Sequence, residues 1–85
     1  MWFVYFLRLN NNKIYVGSTN NIDRRYLEHS NGFVGSTKSL RPLRLISYIT
    51  VAAAKKAREL EKYLKVGSGK AILIKRILTD EALRE

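Results

Sequence analysis

The 85-residue sequence predicts an α/β (α+β) fold, a small three-stranded mixed or antiparallel sheet flanked by helices in the order β-β-α-β-α-α. Three observations carry this. Two runs rich in aromatic and β-branched residues stand on either side of an asparagine cluster. A third alternating run follows a loop that holds two glycines and the only proline. Segments with helical periodicity fall between and after the strands.

The first two strands are residues 2–8 (WFVYFLR) and 13–17 (KIYVG), joined as a hairpin by Asn10, Asn11 and Asn12. Asparagine tolerates the left-handed backbone that such a turn needs. With that loop, Leu9 pairs with Lys13 and Leu7 with Tyr15, and a side-chain period of two puts Tyr5 and Tyr15 on one face. Thr19, Asn20 and Asn21 are each suited to cap the helix IDRRYLEHS, which runs to about Ser30 with Ile22 and Tyr26 as its apolar stripe. Residues 30–42 read as a loop, long for so small a domain, and long loops often carry function. Leu43–Ile49 forms the third strand. A helix follows over about Ala52–Lys65, with Ala53, Ala57, Leu60 and Leu64 as its buried stripe. Gly67 ends it, Ser68 caps a further apolar helix (AILIKRIL), and TDEALRE adds a last turn. A hydrophobic content of 46% over this length supplies one modest core, so the expectation is one domain over residues 1–85.

Charge narrows the partners. Sixteen Lys plus Arg against seven Asp plus Glu leave +9, a balance that attracts polyanions, above all nucleic acid. With no cysteine, disulfides and thiolate metal sites are excluded. The apolar start, Met1–Leu7, has no basic leader and is broken by Arg8 and the asparagines, so neither a signal peptide nor a membrane span is expected. The expectation is a soluble, cytoplasmic chain, by default a monomer, with no membrane association.

Certain residues then stand out by type and order. Phe3-Val4-Tyr5 and Tyr15-Val16-Gly17, followed by Arg25 and His29, resemble the motifs of the GIY-YIG nuclease family. The spacing agrees as well as the letters: ten residues separate Tyr5 from Tyr15, ten more separate Tyr15 from Arg25, and His29 lies one helical turn on. The segment EKYLKVGSGKAILIKRI, beginning at Glu61, is similar to the glutamate-bearing region of compact stand-alone bacterial members, akin to the N-terminal nuclease domain of the DNA-repair excinuclease. The resemblance spans roughly residues 2–78. It implies a metal-dependent phosphodiesterase. On that basis Glu61 holds a divalent ion, Mg2+ or Mn2+, Arg25 contacts the scissile phosphate, Tyr5 and Tyr15 position or activate water, and His29 stands beside them. Two departures affect rate and substrate geometry: Phe3 replaces the usual first glycine, and Ser18 replaces a lysine of the DNA-repair relatives.

The residues read independently point the same way. Arg25 and His29 are i,i+4 neighbours on one helix face. A guanidinium fork suits phosphate oxygens, although Arg24 or Arg25 could also pair with Glu28. Glu61 falls roughly 70° from the centre of its helix's apolar stripe and Glu59 roughly 130°, so Glu61 can face a cleft while Glu59 points to water. An ordinary alternative for Glu61 is an i,i+4 pair with Lys65. One carboxylate is too few to hold an ion by itself, but magnesium keeps several waters and takes substrate oxygens, so a one-metal scheme with an in-line water follows. A phenol titrates near about 10 in isolation, so a tyrosine base needs nearby cations, and either tyrosine could serve. His29, the only histidine, fits an orienting role. Gly67-Ser68-Gly69-Lys70 fails the nucleotide-binding loop pattern, so no nucleotide cofactor is expected, and Lys70 instead fits a backbone phosphate. Lys38, Arg41 and Arg44 extend the basic track.

The functional expectation is a DNA endonuclease of low sequence specificity, in a setting such as DNA repair or recombination; branched, single-stranded and damaged DNA are all open as substrates. The alternative is a catalytically weak nucleic-acid-binding module on the same scaffold, and a third reading is an adaptor on a nucleoprotein complex. Pure binding needs only Lys and Arg, so the joint presence of Tyr5, Tyr15, Arg25, His29 and Glu61 favours the enzyme.

Overall fold

The computed structural model describes residues 1–66. Strands β1 (Trp2–Arg8) and β2 (Ile14–Thr19) lead into helix α1 (Ile22–Ser30), a 3-10 turn at Lys38–Leu40, strand β3 (Arg44–Val51) and helix α2 (Ala54–Leu64). The sheet is antiparallel throughout, in the order β2-β1-β3. The further helix expected after Gly67 lies outside the described residues, as does Lys70.

The hairpin closes as its asparagines require. Asn12 takes the left-handed conformation (φ 66°), and the Leu9 N–H donates to the Lys13 carbonyl at 2.9 Å. Leu7 then faces Tyr15 and Tyr5 faces Gly17. Strand β2 runs two residues past Gly17, so Thr19 belongs to the strand. Its hydroxyl accepts the Asn21 N–H at 3.1 Å, and Asn21 is the helix cap, its Oδ1 accepting the Arg24 N–H at 3.0 Å.

Because β1 is central, both of its faces are covered and Val4 to Leu7 are all buried. Val4 and Phe6 pack with Val16, Ala57 and Leu64 beneath α2. On the opposite face, Tyr5, Leu7 and Leu9 pack with Ile22 and Tyr26 of α1 and with Leu40 and Leu43. The β1–β3 register shifts between Phe6 and Leu7, where Phe6 faces Ser47 and Leu7 faces Leu45. Such a bulge adds one residue to a strand and increases its twist.

Helix α2 starts two residues later than its periodicity suggests, since Ala53 stands at the cap position and offers no side-chain acceptor. The segment read as loop is ordered by its own polar groups. Arg41 Nε donates to the Lys38 carbonyl at 2.9 Å and Nη1 to the Ser30 carbonyl at 3.3 Å, while Asn10 Nδ2 donates to the Arg41 carbonyl at 2.9 Å. Among the described residues no helix is long and apolar enough to cross a membrane.

Phe6 is fully buried at the centre of the α2-side core. Phe6→Ala is expected to cost about 3–5 kcal/mol, a large fraction of the stability of a domain this size, and urea denaturation should show the midpoint falling accordingly.

Candidate active site

The face of the sheet beneath α1 gathers four of the residues singled out from sequence. Tyr5 and Tyr15 share that face, their ring centroids 6.3 Å apart. His29 descends from α1 onto both, 5.7 Å from the Tyr5 ring and 5.1 Å from the Tyr15 ring, edge-on in each case. Arg25, one turn earlier, lies beside the Tyr5 hydroxyl. Gly17 makes this possible. The Tyr5 phenol lies across it, so a Cβ there would collide with the hydroxyl and sit 2.5 Å from Cζ.

The Tyr5 hydroxyl and His29 Nε2 are 2.8 Å apart, and His29 Nδ1 is 2.8 Å from Thr37 Oγ1. Tyr5 is 3% exposed, and His29 and Thr37 are fully buried, so this chain must satisfy its protons internally. Only one direction does so. Tyr5 donates to Nε2, His29 donates from Nδ1–H to Thr37, and the Thr37 hydroxyl donates to the Val34 carbonyl at 3.5 Å. The reverse direction would aim the Tyr5 proton at Arg25, which has no acceptor.

The electrostatics follow from this burial. Desolvation pushes the Tyr5 phenol up to about 12; Tyr15 and Glu61 act in the same direction, and Arg25 opposes. Burial, and then the Arg25 charge, push His29 down to about 4, so it is neutral at physiological pH. Arg25 is held protonated first by Glu28 and then by Tyr5.

Glu61 comes from the helix on the other face, and its contact with the sheet is made through strand β2. Its Oε1 accepts the hydroxyl of Ser18 on edge strand β2 at 2.6 Å, and Ser18 stands opposite Val4, on the α2 side of the sheet. Its second oxygen accepts from Lys65 Nζ at 2.6 Å, and that ammonium lies 5.9 Å from the centroid of the Tyr15 ring. Lys65 thus links the carboxylate to the Tyr15 ring, and the Glu61 charge acts on the Tyr5 hydroxyl. The ordinary ion pairs allowed by the sequence are formed: Glu61 with Lys65, Arg25 Nη1 with Glu28 at 2.9 Å and, more loosely, Arg24 Nε with Glu28 at 3.9 Å.

The expected basic track is less uniform. Lys38 is exposed and directly follows Thr37, close to the cluster in sequence. Arg41 directs its guanidinium to loop carbonyls. Arg44 faces Arg8, three residues along β1 from Tyr5 and so about 10 Å away. Sequence reasoning missed Thr37, Ser18 and Lys65 as parts of this site. Ser18 was legible only as a motif departure, and Thr37 carries no local signal, because its role depends on how the loop folds.

Two measurements test this chain of bonds. Thr37→Val, which keeps the shape and removes the acceptor, is expected to leave a buried donor unsatisfied and to cost about 1–3 kcal/mol in urea denaturation, with Thr37→Ser restoring the stability. The ring 15N shifts of the only histidine report the tautomer directly, and an Nε2–H tautomer in the parent protein would refute the assigned direction. The second test is pH. With His29 depressed from 6.5 to about 4, the unfolded chain binds a proton in that window that the folded chain does not. Stability is therefore complete above about 6.5 and falls with decreasing pH, by up to roughly 3 kcal/mol at about 1.4 kcal/mol per pH unit. His29→Gln should lack this component in urea denaturation at pH 7 and pH 4.5.

With this geometry in place, comparison with known proteins gives a consistent result. The profile of the GIY-YIG catalytic domain matches residues 1–72. The chain is 30% identical to the UPF0213 protein YhbQ of Escherichia fergusonii, over 94% of this chain and 93% of that protein. It is 41% identical to a UPF0213 protein of Vibrio cholerae over 66% of this chain and 56% of the relative, so that match spans little more than half of the relative's length. Among solved structures, the solution NMR structure of the UPF0213 protein BH0048 of Bacillus halodurans superposes with a TM-score of 0.53 at 27% identity, covering 87% of this chain and 83% of that one. Profile and fold agree with the motif residues on the sheet: the chain belongs to the GIY-YIG family of nuclease domains.

Proposed function

We propose that this chain is an endonuclease that hydrolyses phosphodiester bonds of DNA with the help of magnesium or manganese and with little sequence specificity, as a cytoplasmic monomer serving DNA repair or recombination. The observation that carries the chemistry is the meeting of Tyr5, Tyr15, Arg25 and His29 on one sheet face with the Glu61 carboxylate at the adjoining edge.

Arg25 is about one-third exposed, with one nitrogen on Glu28. It also donates to the Tyr5 hydroxyl, and since a guanidinium has five donors, those that remain suit phosphate oxygens as charge builds on them. Tyr15 is only partly buried at the outer strand, whereas Tyr5 is enclosed and commits its proton to His29. We assign the orientation and activation of the attacking water to Tyr15 and a positioning role to Tyr5. Neutral His29 holds the Tyr5 hydroxyl and presents a ring edge to Tyr15.

The residues fit a divalent ion of the magnesium class. Glu61 offers hard oxygen donors, its side chain is 22% exposed, and Ser18 fixes one of its oxygens. Among the described residues no group of three or more His, Cys, Asp or Glu stands together, so an ion here would rest on one carboxylate, waters and substrate oxygens. Its contribution would be charge stabilisation at the leaving oxygen. The second reading, a binding module, draws on Glu61 and Arg25 both being ion-paired at rest.

Incubation with magnesium or manganese on single-stranded, duplex and branched DNA separates the two readings. Glu61→Gln is expected to reduce cleavage to background with binding largely unchanged, and Arg25→Ala to lower the rate by about 100- to 1000-fold. Equal cutting by Glu61→Gln and the parent would remove Glu61 from the chemistry. Binding without cleavage by the parent on every substrate would establish the binding module instead.

A further inference from the structure

Phe3, one of the two residues that depart from the family motif, lies on the same sheet face as Tyr5, two residues along β1. Tyr48 of β3 stands directly opposite Tyr5, and its ring meets Phe3 edge-on at 5.7 Å. Tyr48 is 53% exposed, which is unusual for a tyrosine facing the covered side of a sheet. Beside it opens a cavity of about 420 Å³ lined by Phe3, Tyr48, Leu45, Asn20, Asn21 and Asp23.

The lining selects its occupant. Two aromatic rings and a leucine favour a flat apolar surface. Asp23 disfavours phosphate, so the backbone of a polyanion cannot lie here. Both asparagine carbonyl oxygens are already engaged by Arg24, that of Asn21 by its backbone N–H and that of Asn20 by its guanidinium. These residues therefore offer amide donors, and Asp23 offers acceptors. A planar group with a mixed donor and acceptor edge, carried on a phosphate chain, is a nucleobase.

We infer that the Phe3–Tyr48 cavity is a stacking subsite for one unpaired nucleobase next to the scissile phosphate. A base inside a duplex has both faces covered by its neighbours and cannot enter; a base in a single strand, flap, gap or loop can. The cavity begins about 7 Å from Tyr5 along the strand, within reach of an adjoining nucleotide. The inference rests on the phosphodiesterase reading for the placement of the backbone, and it narrows the substrate to nucleic acid with an unpaired nucleotide at the cut.

The test is binding in EDTA, which does not depend on cleavage. Fluorescence anisotropy with a labelled single-stranded oligonucleotide and with its duplex is compared for the parent, Tyr48→Ala and Tyr48→Phe, with thermal melting to verify folding. Tyr48→Ala is expected to weaken single-strand binding about tenfold, to leave duplex binding unchanged, and to be rescued by Tyr48→Phe, since stacking needs the ring and not the hydroxyl. Equal weakening on both forms, or none on the single strand, overturns the subsite. A selective loss in a protein that cuts nothing would leave the subsite standing and remove the nuclease; cleavage with no Tyr48 effect would do the reverse.

Discussion

The bond between Tyr5 and His29 joins the central strand to a helix 24 residues away, and most of the site depends on it. A nine-residue helix is marginal by itself. Helix α1 is held by the Asn21 cap, by Ile22 and Tyr26 against the sheet, and by this polar anchor near its C-terminus. Burying a phenol and an imidazole is costly unless each proton has an acceptor, so the structure cannot turn α1 without breaking the whole chain through Thr37. Arg25 sits one turn before His29, and its position over the phenol is fixed by the same constraint. The clustering of these side chains is thus produced by folding.

The resting ion pairs bear on how such a site would engage a substrate. Arg25 and Glu28 are each about one-third exposed, and Lys65 is more exposed than Glu61. Pairs of this kind contribute about 0–1 kcal/mol, so exchanging one partner for a phosphate oxygen or an ion is energetically small. In the free protein they keep lone charges from facing each other in a crowded rim. Lys65 in particular neutralises a carboxylate whose charge acts on Tyr5.

Much of the arrangement was legible in the sequence, for identifiable reasons. The hairpin register follows from three asparagines and the alternation around Tyr5 and Tyr15, and it is the register observed. The Arg25–His29 spacing placed both on one helix face, and the stripe geometry of α2 separated Glu61 from Glu59. Local pattern could not show that Glu61 bonds Ser18, since that depends on how α2 packs against β2. Nor could it show Thr37, which meets His29 only after the loop closes through Arg41 and Asn10. The bulge opposite Phe6 and Leu7, which resets the β3 register, is likewise a tertiary result.

Gly17 has a wider consequence. Here the absence of a side chain is a functional group in its own right, because the phenol of the neighbouring strand occupies the volume a methyl would fill. Among proteins built on this scaffold, an alanine at the equivalent position would displace the ring, and with it the bond to the histidine, even with every polar residue intact. One added carbon is thus enough to unseat the contact on which α1 is anchored.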